Sequence, residues 1–354
     1  MNVIDIISKF NIVGSVIDYS PIGNGHINTT FLIKTDCEKA YVLQKINNNV
    51  FKNVDGLMNN IFQVTEYLSN NDFETLELIK TKDGGVYYQV GNEYYRVLVF
   101  IDNAICYEGV TDLQQVYNAG KAFGLLHKAL RGFDASLLYE VIPNFHNTKQ
   151  RYNDLLVSIK SDQVNRVKDC KTEIDNLLRY EKQYSIIVDA LANKEISFVV
   201  THNDPKINNV LFDKTSGDIR AVIDLDTIMP GSYLYDFGDA LRSLFTGEYE
   251  DSKDLSKIGV NTQIFEKYTA GYLNEMKDVL NKKEISLLAF STFLLTIESA
   301  IRFITDYLNG DTYFKTDYPE HNLIRARTQL KLANEIFNRL PELNKIVQEC
   351  LTKK

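Results

Sequence analysis

Residues 201–213 read THNDPKINNVLFD, a polar loop that runs directly into an apolar segment. That segment, NVLF, is followed by the turn residues DKTSGD and then by IRAVID, which predicts two short strands joined as a β-hairpin. The second strand of an antiparallel hairpin returns to the end where the first strand began. We therefore expect Asp224, at the end of the second strand, to face Asn209, at the start of the first.

The loop places one more acid at the same end of this hairpin. Asp204, Asn209 and Asp224 would supply hard oxygen ligands of the kind that Mg²⁺ prefers, with one acid left to act as a base. The alternative is that Asp204 and Asn209 are turn residues that bond to their own backbone. The full spacing, His-x-Asp-x-Lys-x-x-Asn, favours phosphoryl transfer, with Asp204 as base and Asn209 and Asp224 as metal ligands. Lys206 is then a candidate catalytic residue that offsets phosphate charge.

Composition limits the class of protein. A chain of 354 residues with 44% apolar residues predicts two lobes rather than one core. The net charge of −8, with acids and bases interspersed, argues against a nucleic-acid partner or a membrane surface. The four cysteines are widely spaced, the start of the chain does not resemble a secretory signal, and Glu298 and Arg302 interrupt the most apolar stretch. We expect a cytoplasmic protein, and the sequence leaves its oligomeric state open.

The residue pattern of the chain changes near Ile101. Before it lie short β-branched and aromatic runs and one helix with Leu57, Ile61, Val64 and Leu68 at helical spacing. After it come long amphipathic segments, including EIDNLLRYEKQYSIIVDAL at 173–191. We predict an α+β, bilobal fold: residues 1–101 form a small antiparallel-sheet lobe with one helix, and residues 102–354 form a mostly helical lobe that carries the hairpin.

The first lobe also offers phosphate contacts. Gly23 and Gly25 lie in a turn between strand-like runs, and such a turn can cover phosphates with backbone amides, although an ordinary hairpin turn has the same pattern. Lys45 lies on a predicted strand about 20 residues later, where kinases keep a phosphate-binding lysine. Such a lysine usually pairs with a helix Glu. Glu66 is the only acid on the helical stretch after Asp55, so the partner of Lys45 is left open.

Six segments carry a resemblance that spans nearly the whole chain. They are GNGHINTTF, YVLQKIN, RVLVFI, VTHNDPKINNVLFD, AVIDLDTIMPGSYLYDFGDALR and IRFITDYLNGDTYFKTDYPEHNLIRARTQLKLA. In these segments the chain resembles the aminoglycoside phosphotransferase and choline kinase superfamily, and within it the N-acetylhexosamine 1-kinases. The resemblance implies a protein-kinase-like fold, in which residues 1–101 bind ATP phosphates and residues 102–354 carry the catalytic loop, the metal-binding hairpin and the acceptor site. The resemblance implies transfer of the ATP γ-phosphate to the anomeric hydroxyl of a small-molecule sugar, N-acetylglucosamine or N-acetylgalactosamine.

The resemblance also implies residue roles. Asp204 matches the catalytic base, Asn209 and Asp224 match Mg²⁺ ligands, and Lys45 matches the ATP phosphate contact. The sugar contacts implied by the resemblance are His26, Arg302 and Tyr313.

Some alternatives stay open. Arg302 either projects into an acceptor cleft or forms an i,i+4 structural pair with Glu298 on an otherwise apolar helix. The acceptor is alternatively another sugar, an amino alcohol or an aminoglycoside, and a catalytically silent kinase-like binding protein is the rival outside enzymes. Asp226 shares a strand face with Asp224 and is expected near the metal, whereas Asp236 is expected to hold the catalytic loop above a buried, structural His202.

Overall fold

The computed structural model describes residues 2–23, 27–246 and 250–352. The chain forms two compact units, and neither is continuous in sequence. The first contains Met1–Ile105, Gly132–Pro143 and Leu211–Met229, and the second contains Cys106–Arg131, Asn144–Val210 and Pro230–Lys354. The division of roles at residue 101 stays a prediction.

An antiparallel sheet dominates the first unit. Its six strands run in the order β1-β2-β3-β6-β4, with β5 paired to β6. Ile33, Leu43 and Val97 are buried on the face that packs against the short N-terminal helix α1 (Val3–Ile7). The strands are β1 (Val16–Pro21), β2 (Thr29–Thr35), β3 (Ala40–Ile46), β4 (Leu78–Ile79), β5 (Tyr88–Val90) and β6 (Glu93–Val99).

Helix α2 (Val54–Asn70) also belongs to the first unit. It begins where the Asn53 side chain accepts a hydrogen bond from the Gly56 amide, a standard N-cap. The four apolar residues that predicted this helix are all buried, which confirms the helical spacing: Leu57, Ile61, Val64 and Leu68.

The predicted hairpin is present as β9 (Val210–Asp213) and β10 (Ile219–Val222). The Asp213 side chain closes its turn by accepting hydrogen bonds from the amides of Thr215 and Ser216 at 2.8 and 2.9 Å. A third strand, β7 (Ala104–Ile105), pairs with β9 and was not predicted, because two residues carry no periodic signal.

The second unit is mainly helical. Asn281 and Glu284 form a capping box that fixes the start of its central helix, α9. Helix α9 packs against α4, α7 and α10, and α3 packs against α8. A Cβ at Gly120 on α3 would lie 2.2 Å from the Tyr268 carbonyl oxygen on α8, so only glycine permits this approach. The helices are α3 (Leu113–Ala129), α4 (Thr148–Ser161), α5 (Lys171–Leu178), α6 (Ile186–Ala192), α7 (Tyr233–Thr246), α8 (Thr262–Met276), α9 (Lys282–Leu308) and α10 (His321–Thr352), accompanied by the short strands β8 (Val199–Thr201) and β11 (Met229–Gly231).

The predicted amphipathic segment 173–191 is helical at both ends but does not form one continuous helix. Helix α5 ends at Leu178 and α6 begins at Ile186. Tyr184 lies between them, 1% exposed, and its hydroxyl donates to the Leu177 carbonyl at 2.8 Å. This tertiary contact satisfies a carbonyl at the end of α5, and a buried aromatic side chain in the core outweighs local helix propensity.

Helix α9 is long and apolar enough to span a membrane by length and composition, the one such helix in the described ranges. The expectation that Glu298 and Arg302 exclude this by composition was therefore wrong. Most of its apolar stretch, 83%, is buried inside the protein, so packing within the second unit accounts for its composition. The observed antiparallel sheet followed by a helical C-terminal part confirms the predicted α+β fold class.

Candidate active site

The loop before β9 brings three of the predicted residues together. Lys206 Nζ lies 2.9 Å from Asp204 Oδ1. Asn209 donates from Nδ2 to the Asp204 carbonyl oxygen at 2.8 Å and toward Asp204 Oδ2 at 3.4 Å. The Asp204 side chain keeps 27% exposure, so it is accessible to a small molecule. Because the Asn209 amide nitrogen is committed to Asp204, its Oδ1 is oriented away from the base and is available as an oxygen ligand.

Asp236 on α7 anchors this loop from beneath. Its carboxylate accepts hydrogen bonds from the His202 amide at 2.8 Å and the Asn203 amide at 2.7 Å, and His127 Nε2 lies at 2.7 Å. Burial opposes ionisation of Asp236, but the contacts with His127 and with the His202 amide outweigh it and lower the pKa of this carboxyl. The predicted loop-holding role of Asp236 is confirmed.

The loop before β9 contains a buried histidine and a residue with a strained backbone. His202 is 1% exposed and its Nδ1 accepts from the Asp204 amide at 3.2 Å, which confirms that it is a buried structural residue. Asn203 has a left-handed backbone with φ of 65°, a conformation that non-glycine residues adopt rarely and that clusters at functional sites. The loop is therefore held in one conformation that presents Asp204.

A second buried pair lies near Lys206. Arg242 Nε donates to Asp239 Oδ1 at 2.6 Å, and both side chains are at most 10% exposed. Burial alone would lower the pKa of Lys206, but attraction to Asp204 and Asp239 outweighs it and raises that pKa. Lys206 is therefore a fixed positive charge beside the candidate base.

Asp224, the predicted metal ligand at the end of the hairpin, belongs to the first unit. Asp224 follows β10 and has a left-handed backbone with φ of 59°. Its convergence with Asn209 stays a prediction. Asp226, expected near the metal, instead pairs with Arg96 at 2.5 Å and accepts from Asn28 Nδ2 at 2.6 Å, with the ion pair at most 4% exposed. Both of its oxygens are used in the fold of the first unit.

Asn60 on α2 was not identified from the sequence. It is 0% exposed, donates to the carbonyls of Ile228 and Tyr139 at 2.9 and 2.7 Å, and accepts from the Tyr139 amide at 2.8 Å. These bonds tie α2 to the segment just after Asp226. A lone Asn among the apolar positions of α2 was the available signal.

Lys45 pairs with Glu93 on the neighbouring strand β6, and Tyr95 donates to the other Glu93 oxygen at 2.7 Å. The hydrogen bond from Lys45 lowers the pKa of Glu93. The open partner assignment is thus resolved in favour of a strand Glu, and not Glu66. Gly23 has a positive φ of 78°, as a tight turn requires. Gly25 and His26 lie outside the described residues, and their roles stay predictions.

Arg302 and Tyr313 lie together in a cleft of about 640 Å³ within the second unit. The Arg302 guanidinium lies over the rings of Phe145, Tyr313 and Phe314 at 5.2, 5.8 and 5.4 Å. Tyr313 is 61% exposed, so its ring is available to a ligand. The lining comes from α4, the end of α9 and the loop after it: Arg151, Asp154, Val157, Ser158, Ser161, Gln163, Ile301, Arg302, Thr305, Asp306, Asn309, Thr312, Tyr313 and Phe314.

The buried acid Asp306 organises this cleft, and a second buried acid, Glu298, lies on α9 outside the lining. Asp306 accepts hydrogen bonds from the amides of Thr312, Tyr313 and Phe314 at 2.9, 2.8 and 3.0 Å, which fixes the loop that carries Tyr313. Glu298 bonds to His146 Nδ1 at 2.9 Å and to Thr148 Oγ1 at 2.7 Å.

Arg302 lines a cleft and does not form the alternative ion pair with Glu298, and its role as an acceptor contact stays a prediction. In the portion of the chain that is described, no carboxylate lies within ion-pair distance of Arg302, and Glu298 is paired elsewhere.

No group of three or more His, Cys, Asp or Glu side chains that could hold a metal occurs in residues 2–23, 27–246 and 250–352. The described residues can present an accessible carboxylate beside a fixed lysine, and they form a separate cationic and aromatic cleft.

Comparison with known proteins places these features in a family. The fold is similar to an aminoglycoside phosphotransferase from Alicyclobacillus acidocaldarius subsp. acidocaldarius DSM 446 (14% identity, TM-score 0.64, covering 98% of this chain and 96% of that one). It is also similar to a choline kinase from Cryptosporidium parvum Iowa II (16%, TM-score 0.60, 99% of each chain) and to an amicoumacin kinase (14%, TM-score 0.59, 92% and 93%). The sequence family described as the phosphotransferase enzyme family matches residues 18–258, more than half of the chain. The protein therefore belongs to the phosphotransferase enzyme family.

Proposed function

We propose that this protein transfers the γ-phosphate of ATP to the anomeric hydroxyl of N-acetylhexosamines, giving the sugar 1-phosphate. The observation that carries the proposal is the loop in which Asp204, with its oxygens accessible, is held by Asn209 and Lys206 and anchored by Asp236. A phosphotransferase needs one such base and an acceptor cleft, and Asp204 and the cleft lined by Arg302 are the candidates for these two roles in the second unit.

Asp204 acts as the base in this proposal. It orients the acceptor hydroxyl and takes its proton late, because phosphoryl transfer passes through a loose transition state in which positioning and charge neutralisation supply most of the rate. Lys206, 2.9 Å from Asp204, offsets negative charge that develops nearby. Lys45 contacts the nucleotide phosphates in this proposal, since Glu93 uses one of its three N–H donors and leaves others for phosphate oxygens.

The donor set fits a magnesium ion. Asn209 and Asp224 would hold Mg²⁺, which when bound neutralises the charge of the nucleotide phosphates. The support is that Asn209 directs its amide nitrogen to Asp204 and so leaves its Oδ1 as a hard oxygen donor. An amicoumacin kinase of similar fold was solved with AMP-PNP and Ca²⁺, a nucleotide analogue and a divalent cation.

The acceptor assignment is supported by the chemistry of the cleft. Arg302 presents guanidinium donors to hydroxyl or carbonyl oxygens, and Tyr313 presents an exposed ring to a sugar face. His26 is the third proposed sugar contact.

A different small-molecule acceptor is the second candidate. Proteins of similar fold include an aminopropanol kinase and a choline kinase, whose acceptors are amino alcohols. A site for an ammonium group generally uses an aromatic or acidic cage. The cleft here contains aromatic rings, but Arg302 already covers three of them. This favours an acceptor rich in oxygen.

The test is acceptor-dependent phosphate transfer from ATP. N-acetylglucosamine and N-acetylgalactosamine are compared with their 1-O-methyl glycosides, which lack the free anomeric hydroxyl. We expect transfer to the free sugars only. Transfer to the methyl glycosides would defeat the 1-kinase assignment, and transfer to choline or an amino alcohol alone would replace the sugar.

A further inference from the structure

The cleft of the second unit contains a second arginine. Arg151 on α4 lines the same space as Arg302. Its Nη2 donates to the Phe145 carbonyl at 3.3 Å, while its Nε is buried without a hydrogen-bond partner. A guanidinium has five N–H donors, so most donors of Arg151 are unspent.

Arg302 also has donors that the protein does not use. Its described contacts are the three aromatic rings, no described acceptor receives a hydrogen bond from it, and the buried nitrogen without a partner belongs to Arg151. Two guanidiniums therefore face one cleft of about 640 Å³. Together they donate a single described hydrogen bond to the protein, the one from Arg151 to the Phe145 carbonyl. Buried or half-buried donors without acceptors are costly, and a bound molecule with oxygen acceptors removes that cost.

The two positive charges also interact with each other. Burial first, and then repulsion from Arg302, lower the pKa of Arg151, although Glu298 and Asp154 act in the opposite direction. Asp154 is the acid of α4 in the lining, and its Oδ1 accepts from Gln150 at 2.8 Å. Glu298 is paired with His146. Asp306, the other acid of the lining, is committed to the amides of Thr312, Tyr313 and Phe314. The uncommitted hydrogen-bonding groups of the two arginines are all donors, which favours a ligand with oxygen acceptors over an ammonium group.

We propose that Arg151 is a second acceptor-binding residue, and that the Arg151 and Arg302 pair selects neutral, oxygen-rich acceptors and rejects cationic ones. This inference rests on the proposed function, which it refines by naming the charge class of the acceptor and the residue that sets it. Arg151 donates to a hydroxyl or amide carbonyl oxygen of the acceptor, and its charge raises the energy of any bound ammonium group.

The test uses the full-length protein and three variants, Arg151→Gln, Arg151→Lys and the control Arg179→Gln, which removes an exposed arginine outside the cleft. Acceptors are screened by turnover and by calorimetry: N-acetylglucosamine, glucose, glucosamine with its amine protonated, choline and an aminoglycoside. Glucose and glucosamine differ in the charged amine, so their ratio of kcat/KM isolates the charge effect.

We expect Arg151→Gln to raise KM for the best acceptor by about 10- to 100-fold, the loss of one charge-assisted hydrogen bond. The KM for ATP and the melting temperature stay unchanged, the preference for glucose over glucosamine falls by roughly tenfold, and Arg151→Lys restores the charge preference but not the full affinity. Arg179→Gln behaves as wild type.

The outcomes separate the two claims. If the best acceptor is a neutral compound other than an N-acetylhexosamine and Arg151→Gln raises its KM, the proposed function fails and this inference stands. The inference is overturned if the best acceptor is a cation, if no member of the panel binds, or if Arg151→Gln leaves both the acceptor KM and the charge preference unchanged. If Arg151→Gln changes the KM for ATP or the melting temperature, Arg151→Lys is used in its place. The inference is then overturned if Arg151→Lys leaves the KM for the acceptor unchanged.

Discussion

Replacing Asp236 by Asn removes the anchor of the catalytic loop while conserving its shape. The carboxylate accepts from the amides of His202 and Asn203 at 2.8 and 2.7 Å and from His127 at 2.7 Å. An Asn has one acceptor oxygen. In the less costly orientation of the Asn side chain, its oxygen still accepts hydrogen bonds from the His202 amide and from His127. The NH₂ group of the Asn side chain then faces the Asn203 amide.

The magnitude follows from these three contacts. Leaving the Asn203 amide unpaired costs about 1–3 kcal/mol, and changing two charged acceptor contacts to neutral ones costs about 1 kcal/mol each. Relief of the buried charge's desolvation offsets part of this loss. We expect a net loss of about 3 kcal/mol in the free energy of unfolding. Because Asp204 follows the displaced amides directly, kcat falls roughly 100-fold.

The assay is urea denaturation followed by circular dichroism, since the chain has no Trp and the second unit is helical, together with acceptor-dependent ATP turnover. Asp175→Asn, which changes an exposed helix acid, is the matched control and should change stability by less than about 0.5 kcal/mol. An Asp236→Asn variant with wild-type unfolding and wild-type kcat would refute the anchoring role.

Three further changes test other parts of the molecule. Lys45→Met should raise the KM for ATP by roughly 10- to 100-fold, since it removes one charge-assisted phosphate contact, with the acceptor KM unchanged in initial-rate kinetics. Asp226→Ala leaves Arg96 buried without its partner, and we expect a loss of about 3–5 kcal/mol in chemical denaturation; a loss below 1 kcal/mol would contradict the pair's role. Glu298 is buried, which opposes ionisation, but its contact with His146 outweighs this and lowers its pKa. The stabilising contribution of ionised Glu298 is present above the ordinary carboxylate pKa of about 4.3 and is lost as pH falls through the lowered pKa. We therefore expect the melting temperature of Glu298→Gln to fall less steeply in acid than that of the wild type. Equal acid sensitivity of the two proteins would contradict this.

Local patterns predicted the elements and residues that depend on nearby sequence. The spacing of Leu57, Ile61, Val64 and Leu68 indicated α2, and turn residues between two β-branched runs indicated β9 and β10. The candidate catalytic residues of the loop from 201 to 209 could be identified from the sequence, because they lie within nine consecutive positions.

Long-range pairings escaped prediction for a physical reason. Lys45 meets Glu93 because β3 and β6 are neighbours in the sheet, 48 residues apart in sequence, and no local pattern encodes that register. Arg151 was missed in the same way, because α4 carries it into the cleft only after α4 packs on α9. Asp226 was expected near a metal, since strand alternation indicates a shared face but cannot show that Arg96 and Asn28 occupy its oxygens.

The most direct test of the central claim is acceptor-dependent ATP turnover by Asp204→Asn, with N-acetylglucosamine as acceptor and nucleotide affinity measured in parallel. We expect kcat to fall by about 10²- to 10⁴-fold, the contribution of a positioned base, while ATP affinity stays within about twofold of wild type. A variant that turns over at the wild-type rate would show that Asp204 is not the base and that this loop is not the catalytic centre.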